Sequence, residues 1–501
     1  HEAQQSSWEN VTATRTGFLT NDILDLNAGD PLTATNGGGS GEWAMESWLG
    51  RANYNYDNRY YLTATFRADG SANFGPDNKW GYFPSIAAAW RISQEKFFDV
   101  SWIDELKLRV ETGVTGNQGG GGGIYSPMST GATPTGTGFL PSRYSNPGLK
   151  WENTTAFDIG LNVAFLKNRI QVEFDYFTKT TDNLLMDNPL PWYMGTNGTG
   201  SVGSPTVNIG ELQNKGWGLT INTVNIVKKD FKWESNLNFS VIRTKINSFY
   251  SDAAFVNRTS WWLNDWTQRS AVGEAPWLFR GYIEDGLFQS IDEINNSAVP
   301  SDNNGNRLPI EDLAAGINGV SVGDVKFRDI SGPAGVPDGI IDTYDETNIG
   351  NPWPKMYGGF TNTFSYKNFE LSVLIIGTFG NDIYNYIGRA NSNPNNINLS
   401  RNLLVHANQY ARPIEDQHGQ LVLENPGTDV ARISYGPNGN ATRITDKWVE
   451  DGSFVRFKNI SLTYNVPVAF LAKQKYVKGV RLTFSAQNVF TFTNYTGMDP
   501  E

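Results

Sequence analysis

The stretch Leu166-Lys-Asn-Arg-Ile-Gln-Val-Glu-Phe-Asp-Tyr176 opens on a two-residue polar turn, Lys167-Asn168, and runs into a strict alternation. Ile170, Val172, Phe174 and Tyr176 fall on one face, and Gln171, Glu173 and Asp175 on the other. Period two means a strand with one apolar and one polar side. Val480–Phe490 repeats the pattern, with Leu482, Phe484 and Ala486 set against Arg481, Thr483, Ser485 and Gln487. So does Phe231–Thr244, with Leu237, Phe239 and Val241 set against Asn236, Asn238 and Ser240. A β-sandwich alternates too, but its strands run about 5–6 residues, whereas these run roughly 11–15. A tilted strand crossing a bilayer needs about 9–11 residues.

Connections extend the argument. Lys167-Asn168 joins Thr155–Leu166 to Arg169–Asn183, Lys367-Asn368 joins Lys355–Tyr366 to Phe369–Gly380, and Asp57-Asn58 joins Trp43–Tyr56 to Arg59–Asp69. Between these hairpins lie long polar stretches, Gly116–Thr154, Ser248–Pro354 and Asn381–Lys447. With the short turns placed on the inner side, roughly twelve strands follow and no long loop falls inside. Short turns on one side and long loops on the other are the pattern of an outer-membrane barrel. The expected fold is therefore all-β, a large antiparallel transmembrane β-barrel.

Composition agrees. Charged residues are 18% of the chain, below the roughly 25% of soluble domains, and aromatics are 13%. A secreted sugar-binding or sugar-cleaving β protein shares this composition and is the rival reading. Net charge is −11 with no basic cluster, which argues against nucleic acid. Cysteine is absent and the three histidines, His1, His406 and His418, are scattered, so no disulfide, thiol or histidine-triad chemistry is expected. No apolar run is long enough for a transmembrane helix. An enzyme is not expected, and the carboxylate pairs Glu284/Asp285 and Asp292/Glu293 read as solvated loop residues.

Longer motifs bring in a family. They are Arg67-Ala-Asp-Gly-Ser-Ala-Asn-Phe-Gly75, Lys79-Trp-Gly-Tyr-Phe-Pro-Ser85, Trp90-Arg-Ile-Ser-Gln-Glu-Lys-Phe97 and Gly113-Val-Thr-Gly-Asn-Gln118. Asn146-Pro-Gly-Leu-Lys-Trp-Glu152, Asp158-Ile-Gly-Leu161, Glu450-Asp-Gly-Ser-Phe-Val-Arg-Phe-Lys-Asn459, Gln487-Asn488 and Tyr495-Thr-Gly-Met-Asp-Pro500 follow in order. In these the chain resembles the C-terminal half of the SusC/RagA-like TonB-dependent outer-membrane transporters of Bacteroidetes. The resemblance implies a barrel of about 22 strands with a plug, of which residues 1–501 are the C-terminal barrel part. The plug, the TonB box, the first strands and the closing strand are expected to lie elsewhere. It implies energised import of an oligosaccharide, or of peptides in some members, across the bacterial outer membrane. The implied partners are a SusD-like surface lipoprotein and the TonB complex; a passive porin is the rival within transport.

Two groups of residues are candidate sites. Trp192, Tyr193, Trp261, Trp262 and Trp266 lie in outer loops, where flat aromatic faces can stack on sugar rings. Asp329, Asp338, Asp342 and Asp345 cluster around Asp338-Gly-Ile-Ile-Asp342, an arrangement suited to a structural calcium ion. Their spacing departs from the family's loop because Ile330–Pro337 is longer. No cofactor is otherwise required. Trp80, Trp90, Trp217 and Trp233 fall near strand ends and read as an interfacial girdle. Gly119–Gly123 reads as a flexible loop.

Overall fold

A computed structural model describes the chain except residues 21, 24, 120–122, 134, 189, 196–200, 252–253, 261–264, 400–401, 435–438, 441–442 and 468–475. At 132, 133, 192, 259, 260, 265, 266 and 397–399 it describes the backbone alone. Among the described residues, thirteen long strands pair in chain order. They are β1 (Glu2–Thr14), β2 (Thr35–Tyr56), β3 (Tyr60–Ser71), β4 (Trp80–Arg91), β5 (Ile103–Asn117), β6 (Glu152–Phe165) and β7 (Ile170–Asp182). Then come β8 (Glu211–Val227), β9 (Phe231–Ser248), β10 (Met356–Tyr366), β11 (Phe369–Phe379), β12 (Phe454–Asn465) and β13 (Arg481–Thr493). The pairings from β1 to β5 and from β9 to β13 are antiparallel.

The chain forms two compact units. The first comprises His1–Phe98, Lys107–Ile159 and Phe177–Gln213. Its polarity is the reverse of a soluble sheet. On β3, Tyr60, Leu62 and Phe66 are exposed, while Tyr61, Thr63, Thr65 and Arg67 on the opposite face are partly covered. Register carries the apolar face across three strands. Tyr60 pairs with Tyr56 and Trp90, Leu62 with Tyr54 and Ala88, Ala64 with Ala52 and Ile86, and Ala68 with Trp48 and Tyr82. Aromatics therefore mark both ends, and small or aliphatic side chains fill the middle. Ten steps separate Trp90 from Trp80 on β4, about 33 Å at 3.3 Å per residue. A tilt of about 40° reduces that to about 25 Å, the height of an outer-membrane apolar band.

The motifs of this unit meet in one place. Phe74, Phe83, Ile124, Leu149 and Trp151 form a buried cluster. Trp151 Nε1 donates to the Lys79 carbonyl at 3.2 Å, and a Cβ on Gly75 would stand 2.7 Å from the Pro147 oxygen. The glycine is therefore required by the close approach of the 146–151 segment. At the opposite end, Glu95 accepts from Tyr60 Oη at 2.5 Å, Trp90 Nε1 at 3.0 Å and Arg59 Nη1 at 3.2 Å. This fixes the girdle beneath β3 and β4 and accounts for the Trp90–Phe97 motif.

β1 is not legible as a strand. Trp8 and Val11 are the only large apolar residues in Glu2–Thr14, so the sequence lacks apolar alternation. Pairing with the glycine-rich start of β2, Asn10 to Gly39 and Val11 to Gly38, defines it instead.

The second unit comprises Asp99–Leu106, Gly160–Tyr176 and Asn214–Glu501. Its apolar ladder runs through paired residues: Trp233 with Phe364, Phe364 with Leu371, Leu371 with Leu462, and Leu462 with Phe484. A bulge interrupts β12 and β13, because Phe457 pairs with Phe490 but Asn459 with Gln487. Asn488 takes a left-handed φ of 51° there.

One of the expected turns stands as read and two differ in detail. Tyr366 pairs with Phe369, so Lys367-Asn368 is a two-residue turn. Tyr56 pairs with Tyr60, so in the first unit Asp57-Asn58-Arg59 is a three-residue turn. The turn at 166–169 has four residues, with Leu166, Lys167 and Asn168 all at positive φ. Asp104 supports it by accepting from the Asn168 amide at 2.8 Å.

The stretches expected to be polar loops contain the largest buried core of this unit. Tyr282, Leu287, Phe288, Ile294, Val299, Leu308, Val320, Val322, Val325, Phe327 and Ile341 pack with Ala411 and Leu423. Phe288 is 0% exposed. A fully buried side chain of this kind contributes about 1.5–3 kcal/mol, so the loops hold themselves together as a folded subdomain.

Candidate functional site

The polar faces of the strands form the first candidate surface. In the first unit, Thr63 and Thr65 of β3, Glu111 of β5, and Lys179 of β7 line a recess of about 820 Å³ together with Arg67, Asp69, Asn117 and Gln118. The side chains are fixed in place. Arg67 Nε donates to Asp69 at 2.8 Å and its Nη2 to Ser47 Oγ at 3.0 Å, while Ser71 Oγ donates to Gln118 at 2.5 Å. In the second unit, Gln171, Asn222, Glu234, Asn236, Thr361 and Thr363 line a recess of about 260 Å³. Asn236 Nδ2 donates to Asn222 Oδ1 at 2.6 Å. Amides and hydroxyls line both surfaces beside charged side chains such as Glu111, Lys179 and Glu234, and they can donate to and accept from solute hydroxyls alike. Gln171, predicted to face the polar side, does so.

The loop subdomain of the second unit carries the densest charge. Arg432 Nε binds Asp324 at 2.6 Å and its Nη1 binds Glu311 at 2.7 Å, both largely shielded from water. Burial raises the Asp324 carboxyl above its usual range, against the pull of Arg432. Asp285 pairs with Arg328 at 2.5 Å, and that hydrogen bond lowers its pKa. Glu293 pairs with Lys326 at 2.8 Å and accepts from the Gln289 amide. Asp285 and Glu293, one from each sequence pair noted above, are thus engaged in tying the loops together.

Glu284 is different. Burial raises its pKa, and Lys447, 3.6 Å away, offsets this only in part. It lies in a cleft with Arg389, His406, Asp429, Arg443, Lys447 and Trp448. This group has no sequence signature, because its members span residues 284–448 and meet only through the fold.

The predicted aromatic residues are described only in part. Tyr193 is 75% exposed beside Trp192, which is described by its backbone on the turn Trp192–Met194. Trp266 is placed by its backbone pairing with Thr259. Trp261 and Trp262 lie outside the described residues. Of Gly119–Gly123, only Gly119 and Gly123 are described.

The four aspartates do share one turn. Asp345 is fully buried and accepts from the amides of Ile330, Ser331 and Asp342 at 2.7, 3.2 and 2.9 Å. Asp342 accepts from Tyr344, Asp338 from Ile340, and Asp329 from Gly339. Asp329 Oδ1 is buried without a hydrogen-bond partner among the described residues. Among those residues, no group of three or more His, Asp or Glu side chains is arranged to hold a metal ion. The geometry is that of a backbone-capping turn with one carboxylate oxygen left over.

The C-terminal motifs form a clasp. Glu450 accepts from the Thr496 amide at 2.7 Å and from Asn385 Nδ2 at 2.7 Å. Arg456, 2% exposed, reaches Asp499 and Glu501 at 2.5 Å each. Lys458, at the bulge, also holds Glu501 at 2.7 Å.

A model of the family described as TonB dependent receptor-like, beta-barrel matches residues 3–489. TonB-dependent receptor P3 of Formosa agariphila is 34% identical over 507 residues, covering 98% of this chain and 46% of that protein. TonB-dependent receptor SusC of Bacteroides thetaiotaomicron is 31% identical over 478 residues, covering 91% of this chain and 41% of that protein. Among solved structures, the RagAB peptide importer in its open-open state matches with a TM-score of 0.75 at 21% identity, over 99% of this chain and 49% of that one. That likeness is one of fold. The chain spans about half the length of the curated relatives it matches.

Proposed function

The chain belongs to the TonB-dependent receptor β-barrel family of the bacterial outer membrane, and from that premise we propose that it supplies barrel wall and outer loops to an energised nutrient importer. The observation that carries the reading is the reversed polarity of its strands. An exposed apolar band bounded by aromatics is backed by a face that carries amide, hydroxyl and charged side chains, as a lipid-facing sheet around a watery lumen requires.

We propose an oligosaccharide as the solute. The wall is rich in groups that pair with hydroxyls, and Tyr193 presents a flat aromatic face among the outer loops. A SusD-like surface lipoprotein would cover the loops, and the TonB complex would act through the part of the protein beyond this chain. The reading assigns the chain transport and no catalytic step.

Deletion of the full-length gene tests it. Uptake of labelled oligosaccharide should be lost, be restored by the intact gene, and be lost again in a strain without TonB. Loss of peptide uptake alone would replace the solute and keep the importer. A full-length protein that remains soluble without detergent would remove the importer reading altogether.

A further inference from the structure

Three short turns of the second unit, which a barrel places on its inner side, carry charge of one sign. Lys228-Lys229-Asp230 joins β8 to β9, Lys367-Asn368 joins β10 to β11, and Lys478 and Arg481 stand where the chain enters β13. Five basic residues thus face one acid, Asp230, in a chain whose net charge is −11. The acids next along the strands turn the other way. Glu234 and Glu370 alternate onto the polar face, where Glu234 holds Lys232 at 2.7 Å. In the first unit the turn at 57–59 is neutralised within itself, because Arg59 is bonded to Asp57 and Glu95. Lys228, Lys229, Lys367 and Lys478 are instead exposed, and none is in an ion pair with a described residue.

The turns are joined into one patch. The Lys367 amide donates to the Asp230 carbonyl at 2.8 Å, the Asn465 amide to the Asn368 carbonyl at 2.9 Å, and Arg481 Nε to Asn465 Oδ1 at 3.0 Å. Directly beside the patch begins the apolar face of the sheet, with Phe231 paired to Tyr366, Trp233 to Phe364 and Phe369 to Tyr464. Lys367 Nζ lies over the Tyr366 ring, 5.4 Å from its centroid, which brings its charge to the lipid side of the rim. Farther along the same row, Ser235 pairs with Asn362 between Trp233–Phe364 and Leu237–Phe360. Asn362 Oδ1 accepts from Trp233 Nε1 at 3.0 Å and from Ser235 Oγ at 2.8 Å. Its amide nitrogen remains as a donor on the apolar face, costly against hydrocarbon and useful against an ester oxygen.

A phospholipid offers the complementary order of groups from the interface inward: phosphate, ester carbonyls, acyl chains. We propose that this stretch of the inner rim binds an anionic phospholipid of the inner leaflet, with Lys228, Lys229 and Lys367 on the headgroup phosphate, Asn362 toward an ester carbonyl, and the aromatic row along the acyl chains. A zwitterionic headgroup brings its own cation and gains little from the lysines. An anionic one leaves its phosphate charge uncompensated, and each lysine near such a charge favours it by about fivefold. The proposal rests on the membrane-spanning reading of the sheet and is independent of the solute imported.

The test uses the full-length protein, purified in detergent and freed of lipid. It is incubated with an equimolar mixture of dioleoyl phosphatidylglycerol and dioleoyl phosphatidylcholine, and the retained lipids are counted by native mass spectrometry. The acyl chains are identical, so the ratio reports the headgroup. Phosphatidylglycerol should be retained over phosphatidylcholine by about fivefold or more. The combined variant Lys228→Gln, Lys229→Gln and Lys367→Gln should bring the ratio close to unity, whereas Lys232→Gln, on the polar face, should leave it unchanged. Heat-modifiable gel migration confirms that each variant is folded. Equal retention of the two lipids by the parent, or a preference that survives the combined variant, would overturn the site. So would displacement of phosphatidylglycerol by inorganic phosphate at equal concentration, which would reassign the lysines to a soluble anion. A protein that shows no preference yet still requires detergent loses the lipid site and keeps the barrel.

Discussion

Lysine introduced at Ile86 and at Ala87 should have opposite consequences, although the two residues are adjacent on β4. Ile86 lies on the exposed apolar face, paired with Ala64 on β3. It is four steps from Trp90 at the inner girdle and six from Trp80 at the outer one. Four steps correspond to about 10 Å of height after tilt, close to the middle of a band about 25 Å tall. A lysine stem reaches only about 6 Å, so its ammonium cannot regain the interface easily. Its partner Ala64 offers no counter-charge. Ile86→Lys should therefore cost about 2–4 kcal/mol, the range for lysine at the midplane of a lipid-facing strand, or about 30- to 900-fold in the folding equilibrium. Ala87 points to the polar face, between Thr63 and Glu111. There a lysine meets water and a carboxylate, and Ala87→Lys should stay within about 0.5 kcal/mol of the parent. The assay is urea-driven unfolding of the full-length protein from phospholipid vesicles, followed by tryptophan fluorescence and heat-modifiable migration. Equal losses in the two variants, or a larger loss at Ala87, would refute the assignment of faces on which the transport reading depends.

Three further outcomes are expected. Asp345→Ala leaves three backbone amides without their acceptor and should cost about 2–4 kcal/mol of loop-subdomain stability, equally in calcium and in chelator; a loss confined to calcium buffer would make the carboxylate a metal ligand and overturn the capping account. Arg456→Gln removes the anchor for Asp499 and Glu501, which are themselves half exposed, so the cost should be about 1–3 kcal/mol, seen as faster proteolysis within Thr493–Glu501; unchanged cleavage would count against the clasp. For Glu284 the sign follows from its raised pKa. The folded protein holds that proton more tightly than the unfolded chain, so the carboxyl favours folding below its ordinary value of about 4.3 and loses that contribution as pH rises through the folded value. Glu284→Gln should thus flatten the pH dependence of loop-subdomain melting above about pH 4; a steeper slope would contradict it.

The legible part of the fold was local. Ile170, Val172, Phe174 and Tyr176 announce a half-apolar strand because side chains alternate at every residue. Strand length and the short turns then favour a membrane sheet over a sandwich. β1 escaped because a strand without an apolar face has no period to detect. The loops were underestimated because Phe288, Val299, Val322 and Ile341 are separated by polar turns and show no periodicity, yet they converge on one core. The family motifs were recognisable as strings, but their reason is spatial. Gly75 yields to Pro147, Trp151 caps Lys79, and Arg456 holds the segment that follows β13.

By itself, then, the sequence determined the strands other than β1, their polarity and the side on which the long connections fall, because these depend on neighbours one to four residues apart. Tertiary structure alone decided which charges meet. Arg443 and Ile341 are about a hundred residues apart, yet Nη2 of one touches the carbonyl of the other. Arg432 crosses a similar interval to reach Asp324. Spacing along the chain carries no record of such contacts; they exist only where packing of the loop core excludes water and brings buried donors and acceptors together.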